Sequence, residues 1–217
     1  MKREELLQVA KPILFNTDMV RAILDGRKTM TRRHPSKRIE DKWFDYAEWV
    51  AAVKTPGSTS LKEKEFYEQY PPYLPGDILY VRETWGEGYE EETYIYKADD
   101  KLANLPEFKE SSKLIYHPSI HMPKEAARIF LKVTNVRVER LQDMPHDGPL
   151  KEGIHYCECP GGFTWKSDTD MYNCYTTPMG CMKALWDSTI KKSDIDQYGW
   201  DANPWVWVIE FEKVVEE

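Results

Sequence analysis

The fold depends on residues 23–33, which read Ile23-Leu24-Asp25-Gly26-Arg27-Lys28-Thr29-Met30-Thr31-Arg32-Arg33. Just upstream, the apolar residues of Asp18–Leu24 recur at helical spacing, so we predict a short helix that Gly26 terminates. The β-branched run from Lys28 to Arg32 predicts that a strand begins directly afterwards. Because residues three apart on a strand face opposite sides, Lys28 and Thr31 can serve one site only if a bend or bulge re-aims one of them.

The rest of the chain predicts a mixture of strands and helices. Short apolar or β-branched runs predict strands at Pro12–Phe15, Ile78–Glu83, Tyr94–Ala98, within Ala127–Leu141 and at Pro204–Val214. Apolar residues spaced by three and four predict helices within 40–70 and at Met179–Ile190. This pattern favours the α+β class, with a small mixed β-barrel and peripheral helices.

The length of 217 residues is that of one domain carrying insertions. We therefore predict a single domain over 1–217. Segment 36–74 is predicted to be a helical insertion, and segment 155–178 a cysteine-containing one.

The charge is unevenly distributed. The net charge of −7 disfavours a protein that coats long nucleic acids. Residues 21–38 nevertheless carry seven basic side chains and only one acidic side chain, that of Asp25. Such a cluster is either a solvated face or a local binding site.

No run of 18 apolar residues predicts a membrane span, and the charged start Met1–Leu7 is unlike a secretory signal. We therefore expect a cytoplasmic protein that makes no membrane contact. In a reducing compartment, cysteines are not read first as disulfides.

Four cysteines fall close together, and His155 precedes the first of them: Cys157, Cys159, Cys174 and Cys181. Two interpretations stay open, a structural zinc held by four thiolates and four reduced thiols in a loop. Such a zinc would be structural, because four thiolates leave no open position for water. We expect no catalytic cofactor.

Several blocks resemble the ASCH domain family, a branch of the PUA-like barrels. Residues 23–33 resemble the family signature, Pro75–Leu79 its second block and Val206–Phe211 its closing strand. Further blocks resemble those of phage and prophage ASCH proteins, namely Val81–Trp85, Pro118–Pro123, Val138–Leu141 and Leu185–Asp187. The resemblance extends from about residue 12 to residue 213. It implies a PUA-like barrel and, as the setting, a bacterial or phage-infected cell.

One group in this family removes the acetyl group from N4-acetylcytidine with a Lys, Thr and Glu triad. The resemblance places this triad at Lys28, Thr31 and Glu152, and it implies an amidohydrolase whose partner is a modified pyrimidine nucleoside or nucleotide. Amide cleavage needs a nucleophile and a base, and a lysine acts as a base only if its pKa falls below about 10.4. Nearby arginines at positions 27, 32 and 33 would lower that pKa by like-charge repulsion, and partial burial would add to the shift. Either the Thr31 hydroxyl or a water molecule could be activated.

Other residues are candidates for substrate binding. Arg27 and Arg33 lie beside the proposed triad, and Arg82, Glu83 and Trp85 follow a predicted strand, where they could grip a pyrimidine by stacking and hydrogen bonds. The alternative is an ion pair beside a core tryptophan. Ser119 and His121 lie in a proline-bounded loop and are further candidates.

Two other functions stay open at this stage. One is a non-catalytic RNA- or DNA-binding module, as PUA-like barrels often are, and the local basic cluster favours it. The other is a ribonuclease, because some ASCH proteins resemble ribonucleases in activity.

Overall fold

The computed structural model describes residues 1–53, 61–87, 93–99, 115–159, 162–167 and 175–215. The described helices are α1 (Arg3–Val9), α2 (Thr17–Leu24), α3 (Lys37–Val53), α4 (Glu63–Glu68), α5 (Gly148–Lys151), α6 (Pro178–Thr189) and α7 (Ile195–Tyr198). The described strands are β1 (Lys11–Leu14), β2 (Met30–Arg33), β3 (Ile78–Arg82), β4 (Trp85–Glu87), β5 (Tyr94–Tyr96), β6 (Phe130–Arg140), β7 (His155–Cys159), β8 (Gly162–Lys166) and β9 (Trp205–Lys213).

A five-stranded sheet organises these elements in the order β1-β3-β6-β9-β2. The pair β1 and β3 is parallel, and the other neighbours are antiparallel. The class is therefore α+β, as predicted. Within the described residues, β1 and β2 are the edges of this sheet, so the expected closed barrel is not formed.

The long closing strand β9 separates two hydrophobic cores. Trp207, Ile209 and Phe211 pack on one face with residues of β1, β3 and β6. Val206 and Val208 pack on the other face against Leu185 and Trp186 of α6 and their neighbours. Alternation along a strand predicts this division, because successive side chains point to opposite faces of the sheet.

Segment 36–74 packs on the sheet. Its helix α4 contributes Phe66 and Tyr67 to the first core, and the indole Nε1 of Trp207 donates a 3.1 Å hydrogen bond to the Tyr67 carbonyl. Residues 54–60, between α3 and α4, lie outside the described part. The described part of the segment thus becomes a wall of the main fold.

Segment 155–178 contains the hairpin β7–β8, in which His155 lies opposite Lys166. Cys174 lies outside the described residues, whereas Cys181 is fully buried on α6. No described helix is long and apolar enough to cross a membrane.

Candidate active site

The position of Lys28 follows from how α2 ends. Gly26 adopts a φ of 74°, which is the left-handed conformation that favours glycine, and the next two backbone amides both donate to the Ala22 carbonyl at 2.9 Å. Regular strand structure begins only at Met30, so Lys28 precedes β2 and pairs with Glu152 in an isolated β-bridge. The turn before β2 is therefore the bend that Lys28 and Thr31 need if they are to serve one site.

The side chains of Lys28 and Glu152 form a buried ion pair. The Lys28 ammonium donates to the Glu152 carboxylate at 2.6 Å and to the Glu152 carbonyl at 3.1 Å. The lysine side chain is 0% exposed and the glutamate side chain 4%. Arg32 donates to the other carboxylate oxygen at 3.1 Å and to Glu139 at 2.8 Å. We call these four residues, Lys28, Arg32, Glu139 and Glu152, the charge cluster.

Gly153 allows the two halves of the ion pair to approach. Its φ is 99°, and a Cβ placed there would lie 2.8 Å from the Cβ of Ala22 and 3.5 Å from that of Lys28. Glu152 itself caps the end of α5, and the Thr29 amide donates to the Lys151 carbonyl at 3.0 Å. A residue without a side chain is therefore needed where α5 meets the end of α2.

Thr31 lies buried on β2 and lines a cavity of about 40 Å³ together with Arg32, Arg33 and Glu152. The remaining walls are mainly apolar: Met19, Met182, Leu185, Trp186 and Thr189. A cavity of this size has room for a water molecule beside its polar lining residues. Thr31 and Glu152 thus both line this small chamber, whereas Lys28 does not.

Burial is the main reason why the pKa of Lys28 is lowered. Glu152 opposes this shift, and the charges of Arg33 and Arg32 add to it. Arg27 points to other partners, because its guanidinium donates to the Gly153 carbonyl at 2.8 Å and to Asp25 at 2.9 Å. The sequence predicted repulsion from arginines with a further contribution from partial burial, whereas burial is the largest cause and Arg27 is not among the causes.

The strand-end residues Glu83 and Trp85 are held away from the charge cluster. Glu83 is 1% exposed and accepts two hydrogen bonds from Arg128, at 2.9 and 3.0 Å. Burial raises the pKa of Glu83, although Arg128 opposes the shift. Trp85 is buried and contacts Tyr94 and His117. The structure therefore does not bring these two residues to the small chamber.

Ser119 and His121 lie in a 3₁₀ turn, where His121 is exposed. The turn contacts Arg82, whose guanidinium donates to the Ile120 carbonyl. Neither Ser119 nor His121 lines either cavity beside Arg33.

A larger cavity of about 490 Å³ also lies beside Arg33. Residues in or directly after the strands of the sheet line one part of it, namely Arg82, His34 and Trp207. Residues of segment 36–74 line another part, namely Ile39, Tyr70 and Tyr73. The sequence identified Arg33 and Arg82, but not the cavity. Arg33 lines both this cavity and the small chamber.

The zinc hypothesis stays a prediction. The described residues contain no group of three or more His, Cys, Asp or Glu side chains placed to hold a metal ion. One of the four cysteines, Cys174, lies outside those residues, and the side chains of Cys157 and Cys159 are not described.

No protein-family model, no curated protein and no solved structure matches this chain. The resemblance to the ASCH family therefore rests on the sequence blocks alone, and the function has to be argued from the site.

Proposed function

We propose that the protein is an ASCH-type amidohydrolase of PUA-like fold that removes the acyl group from N4-acylated cytidine compounds. The observation that supports this most is the buried 2.6 Å contact between the Lys28 amine and the Glu152 carboxylate, beside a chamber that Glu152 shares with Thr31. The resemblance assigned these same three residues to catalysis, although they are spread over 124 positions of the chain.

The ion pair suits acid–base chemistry at neutral pH. A lysine with a lowered pKa can lose its proton more readily, and the adjacent carboxylate can accept or return one. During hydrolysis the amide C–N bond breaks, water supplies the hydroxyl of the released carboxylic acid, and the exocyclic amine of cytidine gains a proton. The Lys28–Glu152 pair takes a proton from the attacking hydroxyl group and delivers one to that amine.

The attacking group comes from the small chamber. Either the Thr31 hydroxyl attacks the acyl carbonyl, forming an ester that water then cleaves, or a water molecule beside Thr31 attacks directly. Positive charge from Arg33, which lines the chamber, would stabilise the oxyanion that develops on the carbonyl oxygen, whereas Arg32 is already paired with Glu139 and Glu152.

The two cavities suggest where the two parts of the substrate would bind. The small chamber has room for an acyl group or a water molecule, but not for a nucleoside. The cavity of about 490 Å³ falls in the range of roughly 300–1,000 Å³ that small-molecule sites occupy. Movement of the Arg33 side chain, which lines both spaces, would connect them.

The basic cluster at 21–38 gives less support to a nucleic-acid reader. Lys28 and Arg32 are buried on carboxylates, and Arg27 donates to Asp25 and to a backbone carbonyl. Charges engaged in this way are not free to neutralise phosphates of a long polymer.

The test is to incubate the purified protein with N4-acetylcytidine and to follow the release of cytidine. We expect turnover that falls about 1,000-fold in Thr31→Ala and Lys28→Met. Thr31→Ser, which keeps the hydroxyl, should retain most of it if Thr31 is the nucleophile. An acetylated protein trapped at early times would show the ester route. Wild-type protein without turnover, or turnover that both variants leave unchanged, would refute the proposal.

A further inference from the structure

We infer that the cavity of about 490 Å³ takes a phosphate-bearing substrate, so that the protein prefers a cytidine nucleotide to the free nucleoside. This inference rests on the proposed function, because it specifies the substrate class of the same site.

The first observation is the unbalanced charge of the cavity. Its lining includes Arg33, Arg82 and His34, and no aspartate or glutamate of the described residues lines it. Neither arginine forms an ion pair with a described carboxylate. Arg33 donates to the Leu14 carbonyl at 2.6 Å, and Arg82 donates to the Ile120 carbonyl. Glu152 attracts Arg33 from a longer distance, so the positive charge of the cavity is only partly balanced.

The buried Arg32 and the partly buried Arg128 show the contrast. Arg32 contacts Glu139 and Glu152, and Arg128 contacts Glu83 and Asp99. The fold thus neutralises guanidiniums that it buries for structural reasons. A charge left in a cavity without a partner indicates that the partner is an anionic ligand.

The second observation is a donor without an acceptor. The Nε of Arg82 is buried and has no hydrogen-bond partner. A buried N–H without an acceptor costs about 1–3 kcal/mol, whereas a phosphate presents acceptors that suit the planar guanidinium fork. After a shift of the Arg82 side chain toward the cavity, a phosphate oxygen would satisfy this N–H and balance the charge.

The third observation concerns the other walls of the cavity. Tyr70, Tyr73 and Trp207 offer aromatic surfaces on which a base or ribose can pack, and the Tyr73 hydroxyl is fixed by a 2.7 Å hydrogen bond to the Pro12 carbonyl. Aromatic surface beside paired arginines suits a nucleotide better than inorganic phosphate.

The test is calorimetric titration of the full chain with cytidine 5′-monophosphate and with cytidine. We expect the nucleotide to bind about tenfold more tightly or better. In Arg82→Gln this ratio should fall to about threefold or less. The matched control is Arg140→Gln, which removes an arginine that lies over Trp205 outside this cavity and should keep the ratio.

If Arg82→Gln fails to fold, the salt dependence of the wild-type protein decides. Nucleotide affinity should weaken as salt rises, while cytidine affinity stays constant. Equal affinity for the two ligands, a preference that survives in folded Arg82→Gln, or an oligocytidylate that binds more tightly than the mononucleotide would each overturn the inference.

These measurements use compounds without an acyl group, so they are independent of turnover. If binding shows the nucleotide preference but N4-acetylcytidine and its 5′-monophosphate both resist hydrolysis, the proposed function fails and the anion site stands. If both are hydrolysed with equal kcat/KM and bind equally, the substrate inference fails and the proposed function stands.

Discussion

Replacing Glu152 by Gln removes the carboxylate that lies between the Lys28 ammonium and the Arg32 guanidinium while keeping its shape. At 2.6 Å and an effective dielectric constant of about 20, the attraction between Lys28 and Glu152 is about 6 kcal/mol. Desolvation of the two ions, several kcal/mol each, offsets most of it. The intact pair therefore adds little net stability, but removal of one partner leaves a buried charge without compensation.

The expected loss follows from the cost of removing one partner of a buried ion pair, which is about 3–5 kcal/mol. We therefore expect Glu152→Gln to reduce the free energy of unfolding by about 3–5 kcal/mol.

Urea unfolding of four proteins measures this loss: wild type, Glu152→Gln, Lys28→Met and the double variant. Because the double variant no longer buries an unpaired ammonium, it should lose at least about 2 kcal/mol less than the sum of the single variants. Glu212→Gln is the control, since its exposed pair with Lys132 is 3.8 Å long and should contribute less than about 0.5 kcal/mol. Strictly additive losses, or a Glu152→Gln variant within about 1 kcal/mol of wild type, would refute the reasoning.

Two further predictions concern backbone and pH. Gly153→Ala should lower the free energy of unfolding by about 2–4 kcal/mol, measured by a thermal melt. The loss should exceed that of Gly76→Ala, because both glycines have positive φ but only a Cβ at position 153 would lie within 4 Å of another atom. Equal losses in the two variants would contradict this prediction. Because burial lowers the pKa of Lys28 in the folded chain, the unfolded chain binds more protons between that value and about 10.4, so Lys28 makes stability rise with pH there. Urea unfolding of wild type and of Lys28→Met from about pH 6 to about pH 10 measures this effect. As pH rises, the free energy of unfolding of wild type should increase relative to that of Lys28→Met. A constant difference between the two proteins would contradict the prediction.

The local parts of the fold could be predicted from the sequence. The end of α2, the start of β2 and the alternation along β9 follow from helix-termination signals and from periodicity over a few residues. The open sheet was not predicted, because strand order and closure depend on pairings between distant segments.

The candidate site could be predicted only in part. The resemblance assigned Lys28 and Glu152 to one site, and the structure brings them together. The partners of Arg32 and Glu83 lie up to 120 positions away, and no local pattern identifies them. The glycine directly after Glu152 is the one sequence signal that indicates close backbone approach at this site.

The Lys28–Glu152 contact joins segments separated by 124 positions. Closing so long a loop is entropically costly, and burying two ions is unfavourable until the surrounding packing excludes water around both at once. The pair should therefore form late on the folding pathway, after β6 and β9 have paired. A partly folded chain would then lack the pair, so the proposed chemistry would be restricted to chains whose folding is complete.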